Sequence, residues 1–134
     1  MAFVVDTNVL VSYFLIHDSV PAKAVRKAIA GGKIIFTEPT FGELIAVLHR
    51  DKFDRYTTPA LRKQFLGHIA AVADIVPVTR PIKACRDAND DKFLDAAVHG
   101  NAAWLITGDN DLLALHPFME VNILPPAAFL KRET

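Results

Sequence analysis

The chain has 134 residues, 51% hydrophobic and 22% charged, which suits one folded domain over 1–134 and excludes a disordered chain. Fifteen basic residues balance fifteen acidic ones; this argues against a dedicated duplex-DNA binder, which carries a basic excess, and favours a homodimer or a bound partner. One cysteine, Cys85, rules out an internal disulfide framework, and no apolar run is long enough to span a bilayer, so a reducing cytoplasm without membrane is expected.

Met1-Ala2-Phe3-Val4-Val5-Asp6 meets a charge too early for a signal peptide, and its apolar part reads as a central strand at 3–5. A helix is expected at 7–16, with Val9, Leu10, Tyr13 and Phe14 on its apolar face. Asp18 or Ser19 caps a second helix carrying Val25, Ala28 and Ile29, and Gly31-Gly32 stops it. Lys33-Ile34-Ile35-Phe36 is a short buried strand. Thr37-Glu38-Pro39 starts a helix to about residue 50, with Phe41, Leu44, Ile45 and Leu48 on one stripe. Thr58-Pro59 repeats that signal before Leu61, Phe65, Ile69 and Val72 at helical spacing. Prolines reduce 75–78 to a short strand or extended connector. Asn89-Asp90 caps a helix that reaches about residue 99, where Gly100-Asn101 ends it. A strand at 103–107, a helical turn at 112–115, an edge strand at 121–123 and a last helical segment opened by Pro125-Pro126 complete the chain. Strands alternating with helices predict an α/β fold whose parallel sheet is covered on both sides.

Two of these strands run into acids, the first into Asp6 and the fourth into Asp109. A carboxylate after a parallel strand stands at the rim where α/β proteins keep their sites. Glu43 lies inside a helix, Asp91 begins another with Asp95 one turn on along the same side, and Asp111 follows Asp109 closely. Each has an ordinary structural use as a cap, surface charge, helix-dipole partner or turn residue. Brought together, they repel one another unless a cation neutralises them. A hard divalent metal, with metal-assisted phosphodiester hydrolysis, is the matching chemistry. The histidines lack paired spacing and Cys85 has no thiol partner, so no zinc site is expected.

In order along the chain, these segments resemble the PIN-domain nuclease family. Val4-Val5-Asp6-Thr7-Asn8-Val9-Leu10 looks like its first motif, and Phe41-Gly42-Glu43-Leu44-Ile45-Ala46-Val47-Leu48 like its second, with Glu43 as the acid. Asp90-Asp91-Lys92-Phe93-Leu94-Asp95-Ala96-Ala97 resembles the third, Asp91 taking the acidic position. Leu105-Ile106-Thr107-Gly108-Asp109-Asn110-Asp111-Leu112-Leu113 resembles the fourth, with Asp109 the principal acid and Asp111 a neighbour. The sequence departs from the pattern at Ala88-Asn89, where the family commonly has proline and a further acid. The resemblance covers nearly the whole chain. It implies a three-layer α/β/α domain around a central, mostly parallel sheet of about five strands, Mg²⁺ or Mn²⁺ as cofactor, and endoribonuclease activity. The chain looks most like the VapC-like toxins of bacterial toxin–antitoxin pairs, which implies an RNA substrate, an antitoxin partner and a homodimer.

On this reading Asp6, Glu43, Asp91 and Asp109 are catalytic, with Asp6, Asp91 and Asp109 on the first metal. Glu43 and Asp111 serve a second metal that arrives with RNA. Thr107 and Asn8 are helpers that orient Asp6, and Asp95 is secondary to Asp91. Arg50, Lys52 and Arg55, with Tyr56, offer contacts to phosphates and bases, although a solvated surface is the plainer use of any one of them. The alternative is a non-catalytic or weakly active PIN module that binds RNA or an antitoxin. A phosphatase of the haloacid-dehalogenase type would need a second acid where Asn8 stands. A receiver domain would need paired acids after its first strand and a late lysine.

Overall fold

The computed structural model describes residues 1–132. Five strands, β1 (Ala2–Val5), β2 (Lys33–Phe36), β3 (Ala73–Ile75), β4 (Trp104–Ile106) and β5 (Asn122–Leu124), form one sheet in the order β3-β2-β1-β4-β5. Every strand pairing is parallel. Seven helices are found among the described residues: α1 (Thr7–Leu15), α2 (Val20–Gly31), α3 (Glu38–Leu48), α4 (Pro59–Val72), α5 (Asp91–His99), α6 (Asn110–Leu113) and α7 (Pro126–Leu130).

Strand alternation divides the core in two, because successive side chains point to opposite faces. Phe3, Val5, Ile34, Phe36, Trp104 and Ile106 pack with α1, α2, α3, α4 and α7 on one face. Val4, Ile35, Leu105 and Ile123 pack with Phe93, Leu94, Ala97 and Leu112 from α5 and α6 on the other. Covered on both sides, the central strands β1, β2 and β4 read as nearly continuous apolar runs. The architecture is the three-layer α/β/α arrangement expected. No helix among the described residues is long and apolar enough to cross a membrane.

Local chemistry sets most element ends. Ser19 caps α2, Thr37 and Thr40 form a reciprocal capping box on α3, and Thr58 caps α4, each satisfying N–H groups that the first helical turn leaves unpaired. Beyond α2, a Cβ on Gly32 would lie 1.8 Å from the Met1 carbonyl oxygen. That oxygen accepts the Lys33 N–H at 3.0 Å, so glycine lets β1 and β2 begin side by side.

Three boundaries differ from expectation. The strand expected at 75–78 is Ala73–Ile75, entered directly from α4; Val76 donates to the Phe36 carbonyl at 2.8 Å, and Pro77 has no N–H with which to continue. Helix α6 begins at Asn110 because Asp109, not Asp111, caps it, accepting the Asp111 N–H at 2.8 Å. Neither Asn89 nor Asp90 caps α5 with its side chain. Instead Asp87 accepts the Asn89 N–H at 3.0 Å and opens a 3-10 turn, Ala88–Asp90, that leads into the helix. That leaves the Asp90 carboxylate without a capping duty.

Candidate active site

Parallel strands end at a common rim, and β1 and β4, neighbours at the sheet centre, deliver Asp6 and Asp109 there. The Asp6 N–H donates to the Ile106 carbonyl at 2.9 Å. The Asp6 carboxylate caps α1, accepting the Asn8 N–H at 3.4 Å on one oxygen and the Thr107 hydroxyl at 2.6 Å on the other. Thr107 is fully buried, and its Oγ1 also accepts the Asp109 N–H at 3.0 Å. One threonine thus fixes the relation between acids from two strands, while Asn8 engages Asp6 through its main chain. Glu43 arrives from α3 and is held at both oxygens, by the Thr7 hydroxyl at 2.5 Å and the Lys92 ammonium at 2.8 Å.

Asp6, Glu43, Asp90 and Asp109 line one cleft of about 160 Å³, together with Thr7, Asn8, Phe93 and Arg50. Carboxylate oxygens of Asp90, Asp109 and Asp111 lie within 4.8 Å of one another. Burial raises the Asp6 carboxyl above its usual range; the Thr107 and Asn8 donors oppose this, and the charges of Asp109 and Glu43 add to it. Burial likewise pushes Asp90 up to about 6, reinforced by Asp109, Asp87 and Asp6. Two of the acids therefore resist ionising by themselves. An all-oxygen donor set of this kind, with Arg50 as the single cation in the lining, fits a hard divalent ion.

Asp91 and Asp95 are not brought into this cleft. Asp91 Oδ1 accepts the N–H groups of Ala84 at 3.1 Å and Cys85 at 2.8 Å, and Asp95 Oδ1 accepts that of Ile82 at 2.7 Å. One turn further on, His99 Nε2 accepts the Arg80 N–H at 3.2 Å. These side chains form an i, i+4, i+8 stripe on α5, and the stripe pins the connection that leads to Asp90. Burial acts to raise the Asp91 carboxyl, but the Cys85 and Ala84 N–H donors outweigh it and hold it below its usual range. The neighbouring Cys85 thiol is pushed up to about 12 by burial and by Asp91, so it stays protonated. Asp90 closes the 3-10 turn and Asp91 opens α5, so their side chains leave the chain in different directions, and Asp90 reaches the cleft while Asp91 does not. The four-residue spacing of Asp91, Asp95 and His99 was the available signal. For Thr7 and Lys92 as partners of Glu43 there was no comparable one.

Of the basic residues after α3, Arg50 lines the cleft. Lys52 and Arg55 lie instead over the rings of Phe53 and Tyr56, at 5.1 and 5.7 Å. Buried Arg62, which sequence reasoning did not single out, anchors this turn. Its Nε donates to the Leu48 carbonyl at 2.6 Å, and its guanidinium pairs with Asp54 at 2.9 Å.

A family model for the PIN domain matches residues 2–111. In sequence the chain is similar to the uncharacterized protein MJ1680 of Methanocaldococcus jannaschii, 26% identical in an alignment that covers 89% of this chain and 79% of that protein. In structure it is similar to VapBC2 from Rickettsia felis bound to a DNA fragment from their promoter. The TM-score is 0.61 at 15% identity, covering 92% of this chain and 97% of the other. At that identity the likeness concerns the fold.

Proposed function

This chain belongs to the PIN domain family, and from that membership we propose that it is a metal-dependent endoribonuclease, acting as the toxin of a toxin–antitoxin pair. The observation that carries the reading is the meeting of Asp6, Glu43, Asp90 and Asp109, from four separate segments, in one cleft. Asp90, Asp109 and Asp111 are the residues that would hold Mg²⁺ or Mn²⁺, with Asp6 beside them. Asp90 takes the place the motif alone gives to Asp91. A divalent cation held there would supply charge relief to the phosphodiester and lower the pKa of the attacking water.

The chain's own groups do the positioning. Thr107 donates to Asp6 and keeps its carboxylate turned to the rim. Thr7 and Lys92 fix Glu43, which faces the cleft ready to orient the attacking water. Arg50 meets phosphate oxygens at the cleft edge. An antitoxin partner is supported by the fold likeness to a VapBC2 complex, and a cytoplasmic homodimer by the balanced charge and single cysteine.

The test is cleavage of a labelled single-stranded RNA: cutting with Mn²⁺, none with EDTA and none by Asp6→Asn. Cutting that survives both the chelator and the substitution overturns the metal assignment. Growth arrest on induced expression, relieved by co-expressing the neighbouring gene, is the expected cellular result. Unimpaired growth removes the toxin role and leaves the nuclease.

A further inference from the structure

We propose that a second groove, sharing Asp6, Asn8 and Asp109 with the acid cleft, receives one base of the RNA beside the scissile phosphate. The inference rests on the nuclease reading and adds where the substrate's base goes. A phosphodiester seated at the acids carries a nucleoside on each side. The acid cleft, about 160 Å³ and lined by four carboxylates, is too small and too polar to hold a base as well as a phosphate. The second groove has about 430 Å³ and opens from the same three residues.

Its remaining lining is of another kind. Val9 and Ser12 come from one side of α1, Pro21 from the start of α2 and Pro126 from the start of α7. Beyond the shared acids it is neutral, and no lysine or arginine lines it, so it offers nothing to a phosphate. Apolar surface from Val9, Pro21 and Pro126 suits the face of a base, and the Ser12 hydroxyl and Asn8 amide suit its edge. Asn8 is exposed and engages Asp6 only through its main-chain N–H, so its side-chain amide is available to a ligand. The space beside Gly108 is open, since a Cβ there would meet nothing within 4 Å. Arg50 lines the acid cleft and not this groove. The two sides of Asp6 thus divide the substrate, with sugar–phosphate on the Arg50 side and a base on the neutral side.

The experiment uses the whole chain with Mn²⁺ and an oligoribonucleotide whose cleavage position has been mapped. Two further copies carry a single abasic ribose immediately 5′ or 3′ of that bond. Removing the base that occupies the groove lowers kcat/KM at least about fivefold, whereas removing the other leaves it within about twofold. In parallel, Ser12→Leu fills the groove and lowers the ratio of RNA cleavage to hydrolysis of bis(p-nitrophenyl) phosphate, a base-free phosphodiester, by about fivefold or more. Both abasic copies cut like the parent, or a Ser12→Leu protein slowed equally on both substrates, overturns the base subsite. Wild-type protein that hydrolyses neither substrate overturns the nuclease reading, and the subsite falls with it.

Discussion

Two regions meet at the start of α5 and share a residue type but not its state. On the cleft side, Asp90 lies with Asp6 and Asp109, partly desolvated and surrounded by like charge. On the outer stripe, Asp91 and Asp95 lie among N–H donors of the preceding connection, and Asp91 is held in its charged form. Burial is common to both sides. What separates them is the supply of donors: a buried carboxylate given two N–H groups is a structural clamp, and one given only other carboxylates calls for an external cation.

Breaking the cleft side has the largest expected effect. Asp109→Asn or Asp90→Asn lowers Mn²⁺-supported RNA cleavage about a hundredfold or more, while the urea midpoint of the metal-free protein holds or rises because a repelling charge has gone. On the clamp side Asp91→Ala reverses the pattern. Losing hydrogen bonds to a charged acceptor costs about 1.5–3 kcal/mol, read by urea unfolding, and cleavage falls through displacement of the connection that presents Asp90. An Asp91→Ala protein of wild-type stability but without cleavage would put Asp91 back among the metal ligands.

The pH dependence sharpens the contrast further. Asp90 is raised in the folded protein from an ordinary 3.8 to about 6, so the unfolded chain gives up this proton first. Its contribution to metal-free stability is therefore present below about pH 4 and is lost as pH climbs through about 6. Asp91, lowered in the fold, acts with the opposite sign, stabilising above its usual range and losing that as the solution turns acid. Thermal melts in EDTA at stepped pH read both, and Asp90→Asn lessens the fall towards pH 6, leaving the part of the same sign that raised Asp6 contributes. The smallest effects concern the basic turn. Arg50→Ala flattens the salt dependence of RNA binding by about 0.7 in log–log slope, whereas Lys52→Ala, away from the cleft lining, changes binding by less than about twofold.

Much of this was legible in the sequence because its causes are local. Ser19, Thr37 and Thr58 sit directly before the helices they cap, and strands buried on both faces announce themselves as apolar runs. Asp6 and Asp109 could be placed at the rim because each follows such a strand. The choice between Asp90 and Asp91 depends on helical phase after a 3-10 turn that no periodicity marks. Ala73–Ile75 is a strand because Ile34, Ile35 and Phe36 present a ladder to it, although Val76 and Val78 look the better strand formers. The Glu43 partners are 36 and 49 residues distant, and only the assembled fold brings them near.

The sheet is built outward from its earliest strand: Phe3 pairs with Ile34 on one side and Trp104 on the other. A polypeptide leaves the ribosome N-terminus first, so a growing copy exposes Asp6 and Glu43 long before the partner on the second side exists. Asp109 and Asp111 are translated later still, after β4. On the nuclease reading, a nascent chain therefore lacks a complete reaction centre until β4 and the two acids that follow it have been made.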